Sequence, residues 1–396
     1  MKIAITGLGI ISCCGNSVED FWHSVTNGVS GLGKLTRIQH PNIKTDVVGE
    51  VKNFSLGDKF DYKIRTKTDL HVQYALAAAD QAVTQSGLIA QDPHRVHTVI
   101  GTCSGSYDYI KNSLNLLKNN HNVLPSFLTG SLNNMIAGYI NTHFGFLGSG
   151  IVLNGACASG SQAIAFGAML IETGQADAVV VGGSENWINE LPISGLESLR
   201  ALTYDTKGCR PFDVERSGFS LSEGAAVLVL ENESYAKSRK ADILCYLTGY
   251  GLSSDANHPT APRADGLATR YMINSALTKA NLCAQDIDYV NAHATGTSLG
   301  DHIEAETLYS IFKDAPYLSS TKAVTGHSIG AVGAMEAIVA VKSIIEQTVP
   351  LTTNLTTPDC PGNHVIGSSI DTEVDHVLSN NFGFGGTNSA LVFSKC

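Results

Sequence analysis

Short aliphatic and β-branched runs alternate with longer stretches of helical period along the whole chain, and this alternation predicts an α/β fold. Residues 2–6 read as a short buried strand. In the middle of the chain, Ile151-Val152-Leu153 reads as a strand, the small residues around Cys157 as a turn, and residues 161–173 as a helix stopped by Gly174. Ala178-Val179-Val180-Val181 follows as a second strand. The later sequence runs in a similar order: a strand at Tyr289-Val290-Asn291, a turn at His293, a helix near 303–312, a turn at His327 and a long helix near 331–346. Two comparable halves are therefore predicted, residues 1–240 and 241–396, although their letters are too dissimilar to establish a repeat. The middle helix carries Gly160, Ala163, Ala165, Gly167 and Ala168 around its whole circumference, which predicts a helix closely approached on every side.

Composition narrows the class. Of 396 residues only 16% are charged while 39 are glycine, the make-up of a compact protein with many tight turns. A formal charge of -10 argues against wholesale nucleic-acid binding, so an anionic partner must meet a local basic patch. Lys59, Lys63, Arg65 and Lys67 form the densest such segment, readable as a docking patch or as a solvated face. Nine cysteines, odd in number and without a C-x-x-C pair, predict reduced thiols in a cytoplasmic protein rather than a disulfide framework or a zinc site. No apolar run approaches the roughly 20 residues of a membrane span. The glycine-broken apolar start is not read as an export signal.

Asn154-Gly155-Ala156-Cys157-Ala158-Ser159-Gly160 places a cysteine where a strand ends and a helix begins. Unpaired N–H groups and the positive end of the helix dipole then face the sulfur, which is expected to lower the thiol pKa and favour the nucleophilic thiolate. A buried structural cysteine carries the same local pattern, so the motif alone leaves both readings open. His293-Ala294-Thr295-Gly296-Thr297 and Thr325-Gly326-His327-Ser328 each put a histidine on a glycine-bearing turn instead of a packed face. Two such histidines converging on one cleft would offer neutral N–H donors to an oxyanion forming beside a thioester. Lys322, before His327, and Glu336, after it, are placed to form an ion pair that acts on the site or serves only structure.

Asn380-Asn381-Phe382-Gly383-Phe384-Gly385-Gly386-Thr387-Asn388 reads as a flexible glycine loop ahead of a closing strand at 390–393. Phe384 between glycines can swing as a gate there, and backbone N–H groups can approach a reacting oxygen. Two patterns compete with this reading. Gly326-His327-Ser328-Ile329-Gly330 matches a nucleophile elbow with Ser328 at its centre and Asp371 or Asp375 and His376 as partners, but it leaves the Cys157, His293 and Phe384 turns without a role. Gly7-Leu8-Gly9 is half of a dinucleotide-binding fingerprint, with Ser12 where the third glycine should stand.

Taken jointly and in this order, these segments resemble the β-ketoacyl-(acyl carrier protein) synthases, including the ketosynthases of type II polyketide systems. The likeness runs from Ile5-Thr6-Gly7-Leu8-Gly9 through Arg210-Pro211-Phe212-Asp213 and Glu223-Gly224-Ala225 to the glycine loop, effectively the whole chain. It implies a thiolase-like duplicated α/β fold, two similar βαβαβ-type halves forming a layered αβαβα core. It also implies decarboxylative condensation of an acyl thioester with malonyl-acyl carrier protein through an acyl-cysteine, in fatty acid or polyketide biosynthesis.

Under this resemblance Cys157 matches the acylated nucleophile, His293 and His327 the paired histidines that assist malonyl decarboxylation, and Lys322 and Glu336 their supporting pair. Backbone N–H groups of Cys157 and Phe384 match the oxyanion hole, and Phe384 the acyl gate. Thr295 and Thr297 match hydroxyls that meet the phosphopantetheine arm. Asp255 and His258 match a mobile loop on the malonyl side, Gly385 and Gly386 belong to the substrate-facing glycines, and Asp301 and Glu304 match structural acids. Lys63, Arg65 and Lys67 fall where such enzymes dock their acidic carrier. No redox cofactor or catalytic metal is implied, because the phosphopantetheine arrives on the carrier, and a homodimer or a pairing with a related subunit is expected.

Some residues depart from the family pattern: Ser217, Ser222 and Ala226 around Glu223, Ala294 beside His293, and Asn154-Gly155 before the nucleophile. Ser104 stands at a pocket-lining position often held by a larger apolar residue, which predicts room for longer or more polar acyl chains. Two rivals share the fold. A coenzyme A thiolase would need a second catalytic cysteine, and Cys209, Cys245, Cys283 and Cys360 do not sit in a comparable glycine turn. A non-catalytic chain-length subunit is opposed by the joint presence of Cys157, His293 and His327.

Overall fold

The computed structural model describes residues 2–396. Eleven strands form one mixed sheet. They are β1 (Ile3–Ser12), β2 (Val96–Gly101), β3 (Gly150–Leu153), β4 (Ala178–Glu185), β5 (Gly224–Asn232) and β6 (Cys245–Ser254), then β7 (Tyr289–Asn291), β8 (Tyr317–Ser319), β9 (Asn363–His364), β10 (His376–Gly383) and β11 (Thr387–Ser394). Their order across the sheet is β9-β8-β7-β10-β11-β6-β1-β5-β4-β2-β3.

The duplication is visible in the pairing. Inwards from β3, through β2, β4 and β5 to β1, neighbours run parallel, parallel, antiparallel, antiparallel. Inwards from β8, through β7, β10 and β11 to β6, they run the same way. Each half uses its strands in the same chain order, and β9 is an extra edge strand in the second. β1 and β6 meet antiparallel at the centre, with Ala4 opposite Tyr246.

Five helices matter to the site: α1 (Leu70–Ser86), α2 (Ser159–Glu172), α3 (Leu267–Ala280), α4 (Ser298–Phe312) and α5 (Val332–Glu346). α1 packs on β1, β4 and β5, and α3 on β6 and β11. α2 and α5 touch each other and strands of both halves, so they form the central layer of an αβαβα stack. Their sequences suit that place. Small residues let α2 approach its neighbours, and α5 buries Ile338, Val339 and Val341 completely, each worth about 1.5–3 kcal/mol in transfer from water.

Two local expectations change. β1 extends past residue 6 through Gly7 and Gly9 to Ser12, because a side chain at either glycine would collide with the backbone carbonyl of Ala82 or Ala78 in α1. These glycines serve helix-on-sheet packing rather than a nucleotide turn. The segment 380–388 is a hairpin more than a loop: Asn380 to Gly383 continue β10, and the turn is confined to 384–386. Among the described residues, no helix is long and apolar enough to cross a membrane.

Candidate active site

Cys157 occupies the short turn between β3 and α2. The departures Asn154-Gly155 acquire a purpose here. The Asn154 side chain accepts the Ala156 N–H at 3.1 Å and donates to the Cys103 carbonyl at 3.0 Å. From the C-terminal hairpin, the Thr387 hydroxyl donates to the Gly155 carbonyl at 2.8 Å. Ala156 is thereby held at φ 50°, a left-handed conformation that non-glycine residues seldom adopt and that marks functional turns.

His293 lies two residues past the end of β7. Glu304 of α4 accepts the N–H groups of His293 and Ala294 at 2.8 and 2.7 Å, and Asp301 accepts those of Thr295 and Thr297 at 3.0 and 3.2 Å. These two acids fix the loop that carries His293, Thr295 and Thr297. Burial pushes the Glu304 carboxyl up to about 8 and that of Asp301 up to about 6.

His327 is placed by backbone pairing. Its N–H donates to the Ser220 carbonyl at 2.8 Å, and its carbonyl accepts the Ser222 N–H at 3.0 Å. The ring then brings Nε2 to 3.1 Å from Cys157 Sγ. It stands edge-to-face with His293, centroids 5.4 Å apart, and also against Phe219.

Behind the histidines, Lys322 and Glu336 form a buried ion pair. The second Glu336 oxygen accepts from Asn381 Nδ2 at 2.7 Å, and the same amide nitrogen lies 3.4 Å from His293 Nδ1. Burial, reinforced by the Lys322 charge, holds both imidazoles well below their ordinary pKa. They are neutral and able to donate an N–H.

The thiol departs from the sequence expectation. Burial pushes Cys157 up to about 12, while the Lys322 charge, the Phe384 N–H and its own N–H act downwards. Desolvation outweighs the helix start, and the resting group is a thiol.

Cys157, His293 and His327 line one cavity of about 370 Å³ together with Thr295, Thr297, Asp255, Phe384 and Gly386. Phe384 is 41% exposed at its wall. The Gly385 N–H donates to the Pro259 carbonyl at 2.6 Å, and the Asp255 N–H to the Gly386 carbonyl at 2.9 Å, so the Phe384 turn and the loop after β6 are tied together.

Three expected lining residues lie off the cavity. Gly385 faces Pro259, and His258 is exposed with Nδ1 accepting the N–H groups of Thr260 and Ala261. Ser104 spends its hydroxyl on Tyr107 Oη at 2.8 Å. In the basic segment Lys63 and Lys67 are exposed, whereas Arg65 is paired with Asp58 at 2.5 Å and Lys59 with Asp80.

The nucleophile elbow dissolves too. Ser328 is fully buried with its hydroxyl on Met335 Sδ, and His376 binds Ser394 on another part of the sheet. Cys209, Cys245, Cys283 and Cys360 do not line the cavity, which removes the second cysteine a thiolase would need.

Asn381, Trp187, Phe219 and Arg200 also belong to the site, and the sequence motifs assign them no role. Asn381 had a signal, being a polar residue two positions ahead of the glycines. Arg200, held at φ 56°, lines the cavity near exposed Leu199 and Leu299, and its basic charge there is a tertiary fact.

Comparison with known proteins agrees over the whole length. The sequence model of the β-ketoacyl synthase N-terminal domain matches residues 1–236, and that of the C-terminal domain residues 244–356. The chain is 36% identical to 3-oxoacyl-[acyl-carrier-protein] synthase 2 of Coxiella burnetii, over 100% of this chain and 98% of the relative. It is 35% identical to the protein of that name from Vibrio cholerae, over 100% and 99%. Among solved structures it resembles the ishigamide ketosynthase/chain length factor, with TM-score 0.92, 29% identity and coverage of 100% and 99%. It also resembles AntDE:AntF, a type II polyketide ketosynthase in complex with its acyl-carrier protein, with TM-score 0.88, 26% identity and coverage of 100% and 99%.

Proposed function

The chain belongs to the β-ketoacyl synthase family, and from that premise we propose that its residues divide a decarboxylative condensation between Cys157 and the two histidines. The enzyme is an acyltransferase of fatty acid or polyketide biosynthesis. The observation that carries the division of roles is the convergence of three groups on one cavity: His327 Nε2 lies 3.1 Å from Cys157 Sγ, and the His327 and His293 ring centroids lie 5.4 Å apart.

In the first half-reaction the thiol of Cys157 attacks the carbonyl of an acyl-carrier thioester. His327 Nε2 takes its proton as the sulfur–carbon bond forms, and returns it to the departing carrier thiol. His327 Nδ1 has no protein partner, which leaves both tautomers accessible. The N–H groups of Cys157 and Phe384 both favour negative charge at the sulfur, and they take the carbonyl oxygen as it becomes an oxyanion.

In the second half-reaction malonyl-carrier binds with its arm along Thr295 and Thr297. The bond to the carboxylate breaks, CO₂ leaves, and the electron pair becomes an enolate whose oxygen is held by the N–H groups of neutral His293 and His327. The enolate carbon then attacks acyl-Cys157, the sulfur–carbon bond breaks, and the Cys157 thiolate takes up a proton from solvent. Lys322, neutralised by Glu336, favours neutral imidazoles without placing a free charge in the cavity. No metal or redox cofactor enters these steps.

The partner is an acyl carrier protein, docking on Lys63 and Lys67, with Arg200 at the cavity rim. A second subunit, like or unlike, covers the outer edge of β3 and the exposed apolar residues Ile110, Leu114 and Leu117 of helix Tyr107–Lys118. Nine free thiols fit a cytoplasmic location, and the two halves meet near residue 240.

The test is intact-mass and peptide analysis after incubation with acyl-carrier thioesters. The acyl group is expected on Cys157, with none on the Cys157→Ala variant, which retains malonyl decarboxylation; acyl transfer to any other residue would sink the assignment.

A further inference from the structure

The cavity is lined from the C-terminal half by Asp255, Thr295 and Thr297, and from the N-terminal half by Trp187, just past β4. Trp187 packs against the apolar cluster that contains Cys157 and Cys103. Its indole stands edge-to-face with Tyr107, ring centroids 6.2 Å apart at 85°, and the Tyr107 hydroxyl shares a 2.8 Å hydrogen bond with Ser104. The indole Nε1 is buried without a hydrogen-bond acceptor, so packing alone sets the position of the ring. Helix Tyr107–Lys118, which begins at that tyrosine, presents Ile110, Leu114 and Leu117 to the surface at 39%, 51% and 54% exposure. Tyr107 itself does not line the cavity, so the aromatic pair closes the cavity wall at Trp187 on the side where that helix begins.

We propose that Trp187 is a specificity-determining residue that ends the acyl portion of the cavity and restricts the enzyme to short acyl chains, with Tyr107 as its backing. Ser104 is a positioning residue that acts through the Tyr107 hydroxyl. This replaces the longer chains expected from a small side chain at position 104, and it rests on Cys157 being the acylated nucleophile. The physical basis is steric. An apolar chain gains from each buried methylene only while there is room, and a packed indole with no polar tether yields only at the expense of its contacts with Tyr107.

The experiment follows acylation of the full-length protein over time with saturated acyl-carrier thioesters from butanoyl to dodecanoyl, read by mass spectrometry at Cys157. For wild type the rate is expected to fall steeply with chain length. Trp187→Ala should raise the dodecanoyl rate relative to the butanoyl rate by about tenfold or more. Trp187→Phe, a smaller change that spares the fold, should give an intermediate ladder. Tyr107→Ala should shift the ladder in the same direction by less, and Ser104→Ala by less again. A wild type that accepts dodecanoyl as readily as butanoyl overturns the proposal, as do Trp187→Ala and Trp187→Phe enzymes that acylate with the wild-type ladder. Absence of any acyl group on wild-type Cys157 would overturn the nucleophile assignment instead.

Discussion

Cys157 Sγ and His327 Nε2 lie 3.1 Å apart in surroundings that keep the sulfur protonated and the imidazole neutral. The resting couple is a thiol beside a base, not a thiolate beside an imidazolium. In the proposed first half-reaction, proton transfer therefore accompanies attack on the thioester instead of preceding it.

Alkylation reports this directly. With the thiol pushed up to about 12, the thiolate fraction grows about tenfold per pH unit below that value. The rate of iodoacetamide reaction at Cys157 should keep climbing from pH 7 to 9. Lys322→Met should slow it, since the Lys322 charge favours the thiolate. A plateau below pH 8 would contradict the finding.

The histidines predict a stability trend of known sign. Their folded pKa values lie below the ordinary 6.5, so as pH falls through 6.5 the unfolded chain takes up protons that the folded chain refuses. The stability they contribute is present above 6.5 and is lost as pH falls. Relative to wild type, His327→Gln should become progressively more stable between pH 7 and 5, measured by urea midpoint. A constant difference would count against neutral histidines.

Lys322 and Glu336 are both almost wholly removed from solvent. Replacing one alone strands a buried charge, and Lys322→Met or Glu336→Leu should each destabilise by about 3–5 kcal/mol. The double replacement should recover much of that loss in denaturant titrations, because neither charge then lacks its partner. It should still decarboxylate malonyl-carrier slowly, since Asn381 loses its acceptor.

Carrier docking separates the basic residues. Lys63→Glu and Lys67→Glu should raise KM for acyl carrier protein and flatten its salt dependence while leaving kcat near wild type. Arg65→Ala should do less, since Arg65 already pairs with Asp58. Equal effects from all three would argue against this patch.

Local chemistry was legible in the chain. A cysteine before a helix of small residues, two histidines on glycine turns and a glycine-flanked phenylalanine all lie where the sequence placed them, because turn geometry and hydrophobic period depend on neighbouring residues. The sequence makes β1 too short, because Gly7 and Gly9 look like punctuation until α1 packs on them. The sequence points Ser104 at the pocket, because nothing local reveals that its hydroxyl pairs with Tyr107.

Order and residue type thus determined the α/β class, the family and the candidate reacting groups. Tertiary structure alone decided their protonation and setting. Cys157 and His327 are 170 residues apart in sequence, and Lys322 reaches His293 through Glu336 and Asn381. A pKa sums desolvation and charge over all groups near in space, whatever their distance along the chain. The same holds for Trp187, an unremarked aromatic in the sequence that becomes a wall only when the fold sets it beside Cys157 and against Tyr107.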